Sequence, residues 1–194
     1  VLDRAIDKTT KFADAHPEAA VVGCKVFLPD RVHIQRNTFQ FYSTLNMFFH
    51  ATYLSQLLPK HKLFGRKRYA GWNFDTVREV DVVIGCYSFV RMEALKQVGV
   101  MDPIFFLYGD DIDWCYRFVK TGWKVMFFPG ARIIHYGGQA TLSKKRRARR
   151  FMFQLYGAGL INVKKHYSKK TFFICRLLTA WFFFFRVPAW FMKG

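Results

Sequence analysis

Asp110 and Asp111 stand side by side at the start of a segment that reads as a helix, with Asp113 two residues on. A carboxylate within hydrogen-bond reach of a hydroxyl can take its proton as that oxygen attacks an electrophile. A helix start after an aromatic loop holds such a group rigidly, and the positive end of the helix dipole favours its ionised form. The same position also suits helix capping, where acids are common. Asp113 fits the structural role better, because Arg117 follows at the i,i+4 spacing of a helical ion pair.

Other candidates are single residues. His135 ends a strand-like run and precedes Gly137-Gly138 after one residue. Strand ends of open α/β sheets are where ligands bind, and a neutral imidazole ligates divalent cations. A lone histidine there can equally be a hydrogen-bonded surface residue. Gly85 and Cys86 interrupt another strand-like run, either as a bulge or tight strand end or as a step where a ligand approaches bare backbone. Asp102 suits a local hydrogen bond that fixes the loop before Phe105, with a direct substrate role as the alternative. Trp72 and Trp114 can stack on a ligand ring or serve as core.

These residues need elements to hold them. Residues 2–15 read as a helix stopped by His16-Pro17. Ala19 to Leu28 is Val-rich and apolar, as in a strand buried on both faces. Thr38 to Leu58 is aromatic and mostly uncharged, predicting one or two helices. Pro59 to Arg68 is a basic loop, Val80 to Val90 is strand-like, and Glu93 to Val98 is a short helix ended by Gly99. Asp110 to Thr121 is the best-marked helix, with Ile112, Cys115, Tyr116 and Val119 as its buried stripe. Two strands follow, Trp123–Phe128 and Arg132–His135, split by Pro129-Gly130. Alternating strands and helices predict an α/β domain.

Composition narrows the function. At 52% hydrophobic residues in 194, the chain is not disordered. Its four cysteines are scattered without a CxxC, which excludes a zinc finger and a disulfide scaffold and suits reduced, buried thiols. The net charge of +18 is uneven: all 13 acids lie at or before Asp113, beside 14 basic residues, and the other 17 basic residues follow it. Aromatic residues reach 19%, with 23 Phe, which points to lipid contact or a large buried surface. The start at Val1 rather than Met suggests a fragment.

Three stretches share an order: VDVVIGCYSFVRMEAL, GVMDPIFFLYGDDIDWCYRF and GWKVMFFPGARIIHYGG. With the opening AHPEAAVVG and LPD, this order resembles the inverting family 2 glycosyltransferases of GT-A fold, especially the bacterial rhamnosyltransferase-like group. The resemblance covers about residues 1–140. It implies a partial GT-A (Rossmann-like) α/β domain with a mixed sheet, followed by C-terminal helices. It places the family's acidic pair on Asp110-Asp111, with Asp111 as the base. It implies Mg²⁺ or Mn²⁺ as cofactor with His135 helping to hold it, and Gly85, Cys86, Trp114 and Asp102 on the substrate side. The nucleotide-binding half with its Asp-x-Asp motif would lie upstream of Val1. Residues 1–142 are then the acceptor-side half of the catalytic domain, and this fragment alone is expected to be inactive.

Residues 143–194 form the expected second unit. Lys144 to Arg150 hold six basic residues in seven, and residues 171–192 carry only Arg176 and Arg186 as charges. Lys and Arg near anionic headgroups each contribute about 1 kcal/mol of attraction, and Trp181 and Trp190 suit the interface. A central Arg costs about 2.5–3.5 kcal/mol on insertion, so a helix lying in the interface is preferred over a span. The implied partners are a nucleotide-sugar donor, a lipid-linked or polysaccharide acceptor of cell-envelope glycan synthesis, and an anionic membrane surface at the cytoplasmic face of the cell membrane. A basic nucleic-acid module is an alternative, but the hydrophobic segment beside the basic run fits it poorly and nucleic acid is not expected. A non-catalytic membrane adaptor is the other.

Overall fold

A computed structural model describes residues 1–137 and 144–192, without the side chains of 144–151, 153 and 187–192. Gly138 and the expected boundary between 142 and 143 lie outside the described residues, as do the side chains of Pro188 and Trp190.

The order is α1 (Ala5–Ala15), β1 (Ala19–Phe27), β2 (Ile34–Gln35), β3 (Thr38–Phe39), α2 (Thr44–Ala51), α3 (Leu54–Leu57), β4 (Arg78–Glu79), β5 (Val82–Val83), β6 (Phe89–Val90), α4 (Met92–Val98), α5 (Asp110–Lys120), β7 (Lys124–Ile134), α6 (Lys144–His166) and α7 (Lys169–Met192). The centre is the parallel pair β1 and β7, which share eight registered residue pairs. Short antiparallel strands flank it: β2 and β6 on β1, β4 on β7. A parallel strand needs cover on both faces. Accordingly, Val125 and Phe127 face a core with Ile112, Cys115 and Phe118 of α5, while Met126 and Val22 face Ala13 of α1. Strands β3 and β5 form a separate two-stranded sheet.

Three expectations change. Pro129-Gly130 does not split a strand. The β1 partner steps from Phe128 at Cys24 to Arg132 at Lys25, so the extra residues bulge out and β7 continues. Thr38-Phe39 pairs with β5 instead of starting a helix. On α5, Val119 is 40% exposed and Phe118 is fully buried, so the core stripe is Ile112, Cys115 and Phe118. The shift follows from packing against β5, which takes the face carrying Cys115.

Helices α6 and α7 pack on each other and, through α7, on α2. Cys175, Thr179 and Phe182 line the inner side of α7. Its outer side exposes Phe173, Leu177, Trp181, Phe184 and Phe185. Among the described residues no helix is long and apolar enough to cross a membrane.

Candidate active site

Gly23 sets the position of the first wall. A Cβ there would lie 2.4 Å from Val83 Cγ1, so only glycine lets β5 press this closely over β1. The chain leaves β5 through Ile84, whose N–H donates to the Asn37 carbonyl at 2.9 Å, and reaches the exposed Gly85. Helix α5 sets the second wall. Its Cys115 thiol donates to the Val83 carbonyl at 3.9 Å. One turn earlier on the helix and two residues later on the strand, the two walls meet. There the Gly85 N–H donates to Asp111 Oδ2 at 3.3 Å, and the Ile112 N–H donates to Asp111 Oδ1 at 2.8 Å.

The Asp111 carboxyl is pushed up to about 6. Burial is the main cause and the neighbouring Asp110 charge the second, and together they outweigh the three backbone donors, Gly85, Ile112 and Asp111 itself. The helix end alone would favour ionisation; the surroundings reverse the net direction. Tyr42, Cys86 and Cys115 all feel the Asp111 charge, and burial with that charge raises the Cys86 thiol to about 11. The structure therefore brings Asp111, Asp110, Gly85 and Cys86 together. A Cβ on Gly85 would meet nothing within 4 Å, so the backbone there faces open space.

The remaining candidates sit differently. Asp102 Oδ1 accepts the Ile104 N–H at 3.0 Å, the local loop bond expected of it, and Oδ2 accepts from Lys165 at 2.6 Å. Trp114 donates its indole N–H to the Gly99 carbonyl at 2.8 Å and leans on Phe118, and Trp72 is core. Asp113 is fully buried and pairs with Arg117 at 2.8 Å as its spacing predicted.

His135 lies just past the parallel pair, its N–H donating to the Phe27 carbonyl at 2.9 Å. Its Nδ1 is 3.0 Å from Gln35 Oε1. This contact fixes the ring through Nδ1, as hydrogen bonds to the far ring nitrogen do for ligating histidines, and makes Nε2 the nitrogen through which it would ligate. Among the described residues no cluster of three or more His, Cys, Asp or Glu joins it. His135 thus fits one ligand position. Gln35, bonded to His135, and Asn37, whose carbonyl accepts the Ile84 N–H, are two residues apart in the chain.

Sequence reasoning missed Gln35, and it missed Asn162, Lys165 and His166 of α6. Lys165 and His166 both reach the buried Asp113 at 2.6 Å. Their signal was present: an acid-free tail has to find its counter-charges earlier in the chain.

A mixed sheet covered by helices is consistent with a partial GT-A domain of a glycosyltransferase. The chain belongs to the glycosyltransferase-like family 2, whose model matches residues 1–153. It is similar to N-acetylglucosaminyl-diphospho-decaprenol L-rhamnosyltransferase from two strains of Mycobacterium tuberculosis, each 34% identical over 64 residues. That match spans 33% of this chain and 21% of the relatives. No solved structure matches the chain.

Proposed function

We propose that the protein carries out inverting transfer of a sugar, with rhamnose the first candidate, from a nucleotide-sugar donor to a lipid-linked or polysaccharide acceptor in cell-envelope glycan synthesis. The observation that carries this reading is Asp111: half-buried, raised to about 6, and held by the Gly85 N–H beside open backbone. A base works best when its pKa lies near the working pH. At neutral pH this carboxylate is mostly ionised, yet more basic than an ordinary aspartate.

The acceptor enters over Gly85 and Cys86 and offers its hydroxyl to Asp111. The hydroxyl proton passes to the carboxylate as the oxygen attacks the anomeric carbon. The bond from that carbon to the nucleotide diphosphate breaks on the opposite face, and the electron pair leaves with the phosphate oxygen. Burial, with the Asp110 charge second, keeps the Asp111 carboxyl raised, and Asp102 and Trp114 hold the neighbouring loop. Family 2 enzymes commonly use a divalent metal; Mg²⁺ or Mn²⁺ bound with the help of His135 would neutralise charge on the diphosphate.

We place the protein at the cytoplasmic face of the cell membrane, with residues 1–142 as catalytic part and 143–194 as attachment. The outer stripe of α7 repeats at helical spacing from Phe173 to Phe185, and Lys169 and Lys170 are exposed at its start. Such a helix lies in the interface with its apolar side down. The test of the reading is Asp111→Asn in the full-length protein, given nucleotide-linked rhamnose and a lipid-diphosphate-linked acceptor. Transfer is expected to fall at least about 100-fold, the scale of a lost general base. Transfer at the wild-type rate would refute the base assignment.

A further inference from the structure

Helix α5 has a weak point where the proposed chemistry needs it firm. The first N–H groups of a helix lack partners within it, and a side chain at the N-cap normally supplies one. Here the N-cap is Gly109, which has no side chain to give, and its φ of 86° is one that L-residues rarely adopt. Asp110 and Asp111 follow immediately.

Asp111 Oδ1 takes the Ile112 N–H in place of a cap, and helix α6 restrains the turn by a different bond, on its carbonyl side. Asn162, 1% exposed, donates through Nδ2 to the Gly109 carbonyl at 3.0 Å. A Cβ on Gly109 would come within 2.9 Å of both Ala158 Cβ and Asn162 Nδ2, so the bare Gly109 backbone packs directly against these α6 side chains. Asn162 Oδ1 has no hydrogen-bond partner among the described residues. Asn162 Nδ2 donates both to Gly109 and, at 3.1 Å, to the Ala158 carbonyl of its own helix, so the amide ties α6 to the turn before α5.

A second grip lies on the far side of Asp111. Asp113, with no exposed surface, accepts from His166 Nε2 and Lys165 Nζ, both at 2.6 Å, and from Arg117 Nε at 2.8 Å. The Tyr116 hydroxyl donates to the His166 carbonyl at 3.3 Å. Arg117 in turn donates to the Val98 and Val100 carbonyls, and Lys165 reaches Asp102. The backbone is therefore held two residues before Asp111 and two residues after it. Both grips come from Asn162 to His166, beyond the residues matched by the family.

We infer that Asn162 and His166 are positioning residues for sugar transfer, which fix the aim of the Asp111 carboxylate by clamping α5 from α6. This rests on Asp111 being the base. A general base is useful only within a narrow geometry, and misplacement by about 1 Å can lower a rate about 100-fold.

The experiment uses the full-length protein with donor and acceptor, and compares Asn162→Ala, His166→Ala and His166→Gln. Both alanine variants are expected to lose about 10- to 100-fold in kcat, with donor KM within about twofold of wild type and the acid limb of the kcat–pH profile displaced. Glutamine can donate to Asp113 from a similar place, so His166→Gln is expected to recover most of the loss. Purely structural residues would lower thermal stability and leave the kcat of the folded enzyme and its acid limb in place. Should Asn162→Ala fail to fold by circular dichroism, the His166 pair decides alone. Wild-type kcat and acid limb in the folded alanine variants, with Asp111→Asn inactive, would overturn this inference only. Retained transfer in Asp111→Asn would instead overturn the reading beneath it.

Discussion

Gly85→Ala separates substrate contact from protein packing more cleanly than any other change at this site. Gly85 is exposed, its φ is not positive, and its added Cβ would meet no protein atom within 4 Å. The backbone N–H that holds Asp111 is retained in alanine. Inside the protein, therefore, the methyl group does nothing unfavourable. Alanine also has fewer unfolded conformations than glycine, which is worth about 0.4–1 kcal/mol in favour of the fold. Thermal unfolding is expected to show a Tm equal to wild type or slightly higher. In the proposed mechanism the acceptor oxygen reaches Asp111 through the open space beside Gly85. A methyl group there pushes the acceptor back by about an ångström, which is worth about 100-fold in kcat/KM for the acceptor, or about 2.7 kcal/mol. The assay is steady-state sugar transfer with donor and acceptor varied separately. The expected result is a loss confined to the acceptor, in a protein at least as stable as its parent. Unchanged acceptor kinetics would show that the acceptor does not pass over Gly85, and the path proposed for it would fall.

Other outcomes follow from the same geometry. Asp111 has a carboxyl raised to about 6 from an ordinary 3.8, so its protonated form is the one the fold prefers. Its stabilising contribution is present below the ordinary value and lost as pH rises through about 6. Asp111→Asn is therefore expected to be more stable than wild type at pH 8, by on the order of 2 kcal/mol, while losing transfer; equal melting temperatures at pH 8 would contradict this. In the wild-type enzyme, kcat should fall as pH drops through about 6, because the base becomes protonated. Asp113→Ala leaves Lys165, His166 and Arg117 around an empty place. A broken buried ion pair costs about 3–5 kcal/mol, to be read from urea unfolding midpoints. Leu177→Asp with Phe184→Asp places two acids on the exposed side of α7. Sedimentation with phosphatidylglycerol vesicles should drop sharply, with transfer to a soluble acceptor analogue unchanged; undiminished sedimentation would rule out α7 as the attachment face.

Local chemistry made much of this protein legible in its sequence. The Val-rich run at Ala19–Phe27 could only be a strand covered on both faces, and it is the central one. Acids at one end, Arg117 and Lys120 at the other, and a glycine after it marked α5 almost to the residue. The pairing of Asp113 with Arg117 followed from spacing alone. The Asp111 and Gly85 candidates rested on order and resemblance. Sequence could not bring them into contact, because residues 26 apart meet only when Cys115 docks on Val83.

What tertiary structure decided has one physical character: it concerns partners far apart in the chain. Sequence assigned the helix dipole to Asp111, but burial and Asp110 determine its direction. A strand broken at Pro129-Gly130 is what local rules predict; pairing with β1 on both sides of the bulge keeps it whole. Sequence read the basic tail as an appendage with an address for lipid. The fold shows that Lys165 pairs with Asp102 and Asp113, that His166 bonds the buried Asp113 carboxylate, and that Asn162 holds the turn before the proposed base. Charge and hydropathy are properties of residues, and the chain displays them openly. Which opposite charge each residue meets is a property of the fold.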